Sequence, residues 1–159
     1  IDELNSAIGL ARATATEKKE LRRMGLHVDG LYAGYESTPG DRDFLFSVNT
    51  YHMRLHLRIA ECARCGALRE AIEREQVLVF NWLFETAVDR GSLASDHHAR
   101  LTEALATGTP AQADAAMRRH IRFGLQEVLL GLQRLDATAG SWRLKKHERT
   151  AKTTQRVSR

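Results

Sequence analysis

Histidines are the residues of this sequence whose spacing suggests chemistry. His52 and His56 lie four residues apart, which on a helix places both imidazoles on one face, with about 5–6 Å between their Cβ atoms. Two ring nitrogens arranged in this way can bind one divalent cation. His98 and His120 occupy inward positions of two later helical patterns. The spacing therefore predicts that His52, His56, His98 and His120 face a common core, where a shared metal is one interpretation.

His97 is an alternative to His98 that periodicity does not exclude. The two neighbours differ by about 100° around a helix, and each aligns with apolar residues, His97 with Leu93 and Leu101, and His98 with Ala94 and Leu101. Any one of the inward histidines can also be read as a hydrogen-bonded core residue. Several buried imidazoles with no shared role would cost about 1–3 kcal/mol for each unsatisfied group, and this cost favours a common metal.

An antiparallel bundle of about six α-helices is the fold predicted to position these histidines. Only two prolines and eleven glycines interrupt the chain, and apolar residues recur at helical spacing. The apolar run Val77–Phe84 is compatible with a strand, but its charged flanks without turn residues favour a helix. Short turns and the lack of a convincing strand pair make the class all-α. The predicted helices cover about residues 2–14, 17–35, 43–65, 67–88, 96–107 and 110–135.

Local signals mark several helix ends. Thr14 or Thr16 is predicted to cap the helix over residues 17–35, and Ser95 the helix over residues 96–107. Gly108 occupies the position of a glycine that ends a helix.

The tetrapeptide Thr109-Pro110-Ala111-Gln112 is the strongest of these local signals. Threonine fits the N-cap, proline the first helical position and glutamine the capping-box position. The last helix is therefore predicted to begin at this tetrapeptide.

Composition and charge exclude several classes of protein. The 159 residues are 43% hydrophobic and 28% charged, as in a single soluble domain, and no apolar stretch is long enough to cross a membrane. Residues 142–159 carry seven basic and one acidic side chain, so the formal net charge of +4 leaves residues 1–141 at −2. A weakly acidic domain argues against a nucleic-acid surface.

Residues 137–159 are predicted to form a basic, flexible tail. Contact of this tail with DNA phosphates is the alternative interpretation.

Cys62 and Cys65 form a single Cys-x-x-Cys pair. A redox pair or half of a second metal site are possible roles for such a motif. No second pair and no thioredoxin-like pattern accompany it, so buried structural cysteines are the favoured interpretation.

Three segments of the chain carry a family resemblance. They are Leu55-His56-Leu57-Arg58-Ile59-Ala60 followed by Leu68, His98-Ala99-Arg100-Leu101 followed by Gly108, and Ala116-Met117-Arg118-Arg119-His120-Ile121. Together they resemble the FadR C-terminal (FCD) domain, the ligand-sensing domain of GntR-type transcriptional regulators. The resemblance covers about residues 2–135. It implies an all-α effector- and metal-binding domain over residues 1–136, preceded in the full-length protein by a winged helix-turn-helix that this chain lacks.

The resemblance also implies a ligand set for one divalent metal. The family usually has an Asp-x-x-x-His pair and two later histidines, which correspond by position to His52, His56, His98 and His120. His52 thus replaces the usual aspartate, and the family pattern selects His98 over His97. A site built only from imidazoles has no ligand charge and suits zinc or nickel better than hard cations.

A small carboxylate effector and a homodimer are further expectations from the resemblance. The resemblance implies that such an effector completes the metal coordination and shifts the dimer between DNA-binding states. It also implies that only the N-terminal domain binds DNA. The full-length protein is expected to be cytoplasmic and not to be an enzyme. The family often has Arg and Glu facing the pocket from the first helix, where this sequence has Asn5 and Gly9. Asn5 is therefore a candidate effector contact. Asn81, inside an apolar run, is a second candidate, or forms an interhelical hydrogen bond.

A metalloenzyme on a helical bundle, either a hydrolase or a di-metal oxidase, is the alternative function. A di-iron site needs inward carboxylates and Glu-x-x-His motifs; the sequence has no such motif, and Glu61, Glu85 and Glu103 lie off the histidine faces. A hydrolase needs a general base beside the metal-bound water, and none is evident. A plain helical interaction domain with core histidines is the third interpretation.

Overall fold

A computed structural model describes residues 13–38, 40–75, 95–127, 129–130 and 133. All regular secondary structure in these residues is α-helical, which confirms the predicted all-α bundle. The predicted helix over residues 2–14 and the run Val77–Phe84 lie outside the described residues, apart from positions 13 and 14, which are not helical. The helices are α1 (Ala15–Glu36), α2 (Arg42–Cys62), α3 (66–75), α4 (His97–Thr107) and α5 (110–127).

Two helix starts follow the predicted local rules. Thr14, rather than Thr16, caps α1: its hydroxyl accepts the Glu17 N–H at 3.2 Å, and the Glu17 carboxylate accepts the Thr14 N–H at 2.8 Å. Before α5, the hydroxyl of Thr109 accepts the Gln112 N–H at 3.3 Å, and Gln112 Oε1 accepts the Thr109 N–H at 2.8 Å. Both are capping boxes, in which two otherwise unpaired N–H groups find partners.

The start of α4 contradicts the predicted cap. Ser95 is not the N-cap, and Asp96, which occupies that position, makes no side-chain cap hydrogen bond. The carboxylate of Asp29, on α1, accepts the N–H groups of His98 and Ala99 at 2.9 and 2.8 Å instead. A tertiary contact therefore replaces the local cap that was predicted from the sequence, because the free N–H groups at a helix start donate to any well-placed acceptor.

Gly108 ends α4 as predicted. A glycine is needed here because a side chain would not fit, and not because the backbone is left-handed. Its φ angle is −69°, and its N–H donates to the carbonyl of Ala104 at 2.9 Å. A Cβ at this position would collide with that same carbonyl oxygen. The residue therefore lets the chain turn tightly from α4 into α5.

α1 packs antiparallel against both α2 and α4. Early in α1, Arg22 pairs with Glu103, late in α4, whereas Asp29 further along α1 meets His98 at the start of α4. Against α2, Glu20 near the start of α1 pairs with Arg58 near the end of α2. α1 therefore lies between α2 and α4 and contacts both along its length.

The core fills the space between these helices and α5. On α1, Asp29 and Tyr32 are buried, whereas Met24, Leu31 and Tyr35 are only partly buried at the edge of the core. No helix in the described part of the chain is long and apolar enough to span a membrane. The central core residues are Leu21, Val28, Val48, Leu55, Ile59, Leu101, Leu105, Ala113 and Ala116.

Candidate metal centre

Five imidazoles from three helices meet at one place in the bundle. Their neighbouring ring centroids lie between 4.4 and 5.5 Å apart. The structure thus brings together all four predicted histidines and adds the neighbour that the family pattern set aside. The five are His52 and His56 from α2, His97 and His98 from α4, and His120 from α5.

Two pairs of ring nitrogens in this cluster have the spacing of neighbouring ligands around one cation. Nε2 of His56 lies 2.9 Å from Nε2 of His120, and Nε2 of His52 lies 3.0 Å from Nε2 of His98. Nitrogens that each lie about 2.0–2.1 Å from a zinc ion are about 2.9 Å apart at a right angle and about 3.3 Å apart at the tetrahedral angle. The imidazoles therefore fit a transition metal both in their chemistry and in their separation.

Two overlapping groups of three histidines could hold an ion, and the four predicted ligands are divided between them. One nitrogen each from His52, His56 and His120 lie within 4.8 Å of one another, and so do nitrogens of His97, His98 and His120. The second group contains both members of the neighbouring pair that periodicity could not separate. In a metal-free protein the same close pairs form hydrogen bonds, since a neutral imidazole has one N–H and one lone pair.

Asp29 and Tyr32 lie on α1 and are both buried. Each contacts the Nδ1 atom of one of these rings. Oδ1 of Asp29 lies 2.7 Å from Nδ1 of His98, and the Tyr32 hydroxyl lies 3.1 Å from Nδ1 of His52. The Tyr32 ring also stacks on His98, with 5.5 Å between centroids and 4° between planes. Partners of this kind fix the tautomer and orientation of metal-binding histidines and leave Nε2 for the metal.

Sequence reasoning missed both α1 residues, although a signal for them exists. Asp29 and Tyr32 continue the face that begins with Leu21 and Gly25, at spacings of three and four residues. A carboxylate in such a stripe is unusual, because a buried acid needs partners. Its partner is a histidine 69 residues away in the chain, which periodicity within one helix cannot identify.

Asp29 is ionised in spite of its burial. Burial by itself would raise the pKa of its carboxyl, but hydrogen bonds from the His98 ring and from the backbone of His98 and Ala99 outweigh that effect and lower it. The positive end of the α4 dipole favours the same negative charge. One carboxylate therefore ties α1 to α4 and orients a ring of the cluster.

Burial favours the neutral form of three imidazoles of the cluster, those of His56, His97 and His120. Burial, followed by repulsion from His98, lowers the pKa of His56 to about 4. Burial, followed by repulsion from the neighbouring imidazoles, lowers the pKa of His120 to about 2. Burial also lowers the pKa of His97. Neutral imidazole is the form that binds a metal, so these rings are ready to do so at neutral pH.

Carboxylates do not take part in either candidate ligand group among the described residues. Glu61 pairs with Arg58 at 3.1 Å, and Glu103 pairs with Arg22 at 2.7 Å, so both point away from the imidazoles, as predicted. Glu85 lies outside the described residues. The part of the site that the structure describes is thus a set of nitrogen donors, unlike a carboxylate-rich di-iron centre.

Several other predicted features concern residues outside this cluster, and some of them lie outside the described residues. The candidate effector contacts Asn5 and Asn81 lie outside the described residues, as do residues 137–159. Cys62 and Cys65 are both free, the first buried and the second half-buried. Burial raises the pKa of the Cys62 thiol, which makes it less reactive and agrees with the structural interpretation.

The sequence was compared with models of known protein families. The FCD domain family matches residues 5–123, well over half of the chain. The chain belongs to the FCD domain family. Searches of curated proteins and of solved structures each found no match. The FCD domain is the C-terminal ligand-sensing domain of GntR- and FadR-type regulators, and the matched range contains all five clustered histidines and both of the α1 residues behind them.

Proposed function

We propose that this FCD domain is the metal-containing, effector-sensing and dimerisation domain of a bacterial GntR-type transcriptional regulator. His52, His56, His98 and His120 hold one divalent transition metal. The observation that carries the proposal is the arrangement of their Nε2 atoms in two facing pairs, 2.9 and 3.0 Å apart. The outer contacts of Asp29 and Tyr32 support it, because they leave Nε2 of His98 and of His52 available.

Zinc or nickel is the proposed metal. Four neutral imidazoles are borderline ligands without charge, and such sets favour these ions over magnesium, calcium or manganese, which prefer oxygen. The lowered pKa values of His56 and His120 support this choice, since no proton competes strongly for their nitrogens at neutral pH.

A small carboxylate is the proposed effector. Four neutral ligands leave the double positive charge of the cation uncompensated, and an anion at the same centre would offset it. The bound metal supplies a Lewis-acidic position for that carboxylate. Asn5 and Asn81 remain the proposed contacts for the rest of the effector.

The site lies where a ligand can change how helices pack. Its imidazoles come from α2, α4 and α5, and Asp29 connects it to α1. Effector binding regulates the homodimer only if one dimer arrangement binds the effector more tightly than the other. DNA is bound by an N-terminal winged helix-turn-helix of the full-length, cytoplasmic protein, and the domain itself is not an enzyme.

Metal content measured by mass spectrometry after mild purification tests the metal site. Wild type is expected to hold about one equivalent of zinc or nickel, and His56→Ala and His120→Ala to hold little. His27→Ala is the matched control, because His27 is exposed, packs against Tyr51 and belongs to neither candidate ligand group. Less than about half an equivalent in wild type, or equal losses in all variants, would overturn the proposal.

Two further observations separate a regulator from a metalloenzyme. A winged helix-turn-helix encoded directly upstream of Ile1, together with calorimetric binding of small carboxylates but not of the matching amides, supports the sensor. Hydrolysis that depends on the metal and is lost in His56→Ala contradicts it.

A further inference from the structure

His97 lies outside the four proposed ligands, yet it contacts one of them directly. Its Nε2 lies 3.0 Å from Nδ1 of His120. The ring is half-buried at the start of α4 and packs against Phe123, with 4.9 Å between centroids. This side chain is therefore held in place by both a polar and an apolar neighbour.

His120 is contacted at both of its ring nitrogens. Nε2 faces Nε2 of His56 at 2.9 Å, and Nδ1 faces Nε2 of His97 at 3.0 Å. A neutral imidazole carries its single proton on one nitrogen or the other. If the proton is on Nδ1, that N–H donates to His97, and the lone pair of Nε2 is directed toward His56 and the centre.

We propose that His97 is a positioning residue: it accepts a hydrogen bond from Nδ1–H of His120 and so keeps Nε2 of His120 unprotonated and aimed at the metal. This inference rests on the proposed metal site. In this arrangement His97 is the outer hydrogen-bond partner of His120, just as Asp29 is the partner of His98 and Tyr32 is the partner of His52. A carboxylate, carbonyl or water usually has this role; here a second imidazole fills it.

The competing assignment makes His97 a direct ligand, because its nitrogen also belongs to a group with His98 and His120. The contacts of His98 argue against that assignment. Its Nδ1 is 2.7 Å from Asp29, and its Nε2 is 3.0 Å from Nε2 of His52. Nε2 of His98 thus faces His52, another proposed ligand, whereas Nε2 of His97 faces Nδ1 of His120, the nitrogen on the other side of that ring from His56.

Two substitutions at position 97 separate these roles. Glutamine can place Oε1 near the position of the histidine Nε2 and accept the same hydrogen bond, whereas alanine cannot. In zinc competition titrations, we expect His97→Ala to bind zinc about 10–100-fold more weakly and His97→Gln to stay within about 3-fold of wild type. All variants should bind about one equivalent, and His27→Ala should match wild type. Thermal unfolding verifies that each variant is folded.

Each contrary result in the titrations overturns the proposal. Equal large losses in both variants, with changed absorption bands of the cobalt-substituted protein in His97→Gln, identify a direct ligand. A second zinc equivalent that disappears in both variants identifies a second site. Wild-type affinity in both variants leaves His97 without a role at the metal.

Nitrogen NMR of the metal-free protein separates failure of this inference from failure of the metal site itself. We expect His120 to carry its proton on Nδ1 in wild type and in His97→Gln, and to lose that preference in His97→Ala. If the wild-type protein binds no zinc but shows this pattern, the metal proposal fails and the hydrogen bond stands. If His120 carries its proton on Nε2 in wild type, the positioning role is wrong whatever the zinc affinity.

Discussion

A single oxygen of Asp29 accepts two hydrogen bonds from His98, one from the backbone N–H at 2.9 Å and one from ring Nδ1 at 2.7 Å. The first bond caps α4, and the second fixes the ring whose Nε2 faces His52. Helix formation and ligand orientation therefore depend on the same carboxylate. A shift of α1 would therefore move the ring of His98, one of the proposed metal ligands.

Replacing Asp29 should damage both stability and metal binding. Asp29→Ala removes the acceptor for two helix N–H groups and for a buried ring, so we expect the free energy of unfolding to fall by about 2–3 kcal/mol and zinc affinity to fall about 10-fold or more. Denaturant unfolding and zinc competition measure the two effects. Asp96→Ala is the control, since Asp96 occupies the cap position of α4 but makes no side-chain cap hydrogen bond and forms an ion pair with exposed Arg100. A larger loss there than at Asp29 would refute this interpretation.

Gly25 sets the distance between α1 and α4. A Cβ there would collide with the Thr102 hydroxyl and lie 2.7 Å from the His98 carbonyl oxygen. We expect Gly25→Ala to lower the free energy of unfolding by about 1–3 kcal/mol and to weaken zinc binding by displacing α4. Gly30→Ala on the same helix meets no atom within 4 Å and should stabilise the protein by about 0.5–1 kcal/mol. Equal effects of the two substitutions in urea unfolding would contradict the packing argument.

The stability of the metal-free protein should decrease as the pH falls below about 6.5. Unfolded histidine has a pKa near 6.5, whereas the folded values are about 4 for His56 and about 2 for His120. The unfolded chain therefore binds more protons in this window, and each imidazole costs roughly 1.4 kcal/mol per pH unit. The lowered pKa of Asp29 acts only below its ordinary value of 3.8. Urea unfolding between pH 7.5 and pH 5 measures the slope, which His120→Gln should reduce and His27→Gln should not.

Restoring the family's aspartate at position 52 should change the metal preference. His52→Asp adds one negative ligand charge and one oxygen donor, so manganese should gain affinity relative to zinc by about 10-fold or more. Competition between the two ions measures the ratio in wild type and variant. A ratio that stays constant would show that His52 is not a ligand.

The class of the fold and the inward faces of the histidines were predictable from sequence, because both depend on local periodicity. Spacings of three and four residues placed His52, His56, His98 and His120 on inward faces, and the capping boxes at Thr14 and Thr109 follow from adjacent residues alone. Family resemblance then gave these positions a common chemistry.

What the sequence did not predict depends on contacts between distant segments. Asp29 caps a helix that starts 68 residues later in the chain, so the local rule selected Ser95 incorrectly. His97 and His98 differ little in periodicity, yet the fold buries one and half-buries the other, and it gives them different partners. Roles of this kind are set by the packing of α1, α4 and α5 and not by any one helix.

Zinc K-edge X-ray absorption of the purified, zinc-loaded protein tests the central claim most directly, because it counts the ligands of the ion. We predict about three to four imidazole nitrogens at about 2.0–2.1 Å, with outer-shell scattering characteristic of the rings, and a loss of this signal in His120→Ala but not in His27→Ala. A spectrum dominated by water oxygens or by cysteine sulfur, or one that is unchanged in His120→Ala, would contradict a metal centre built from these histidines.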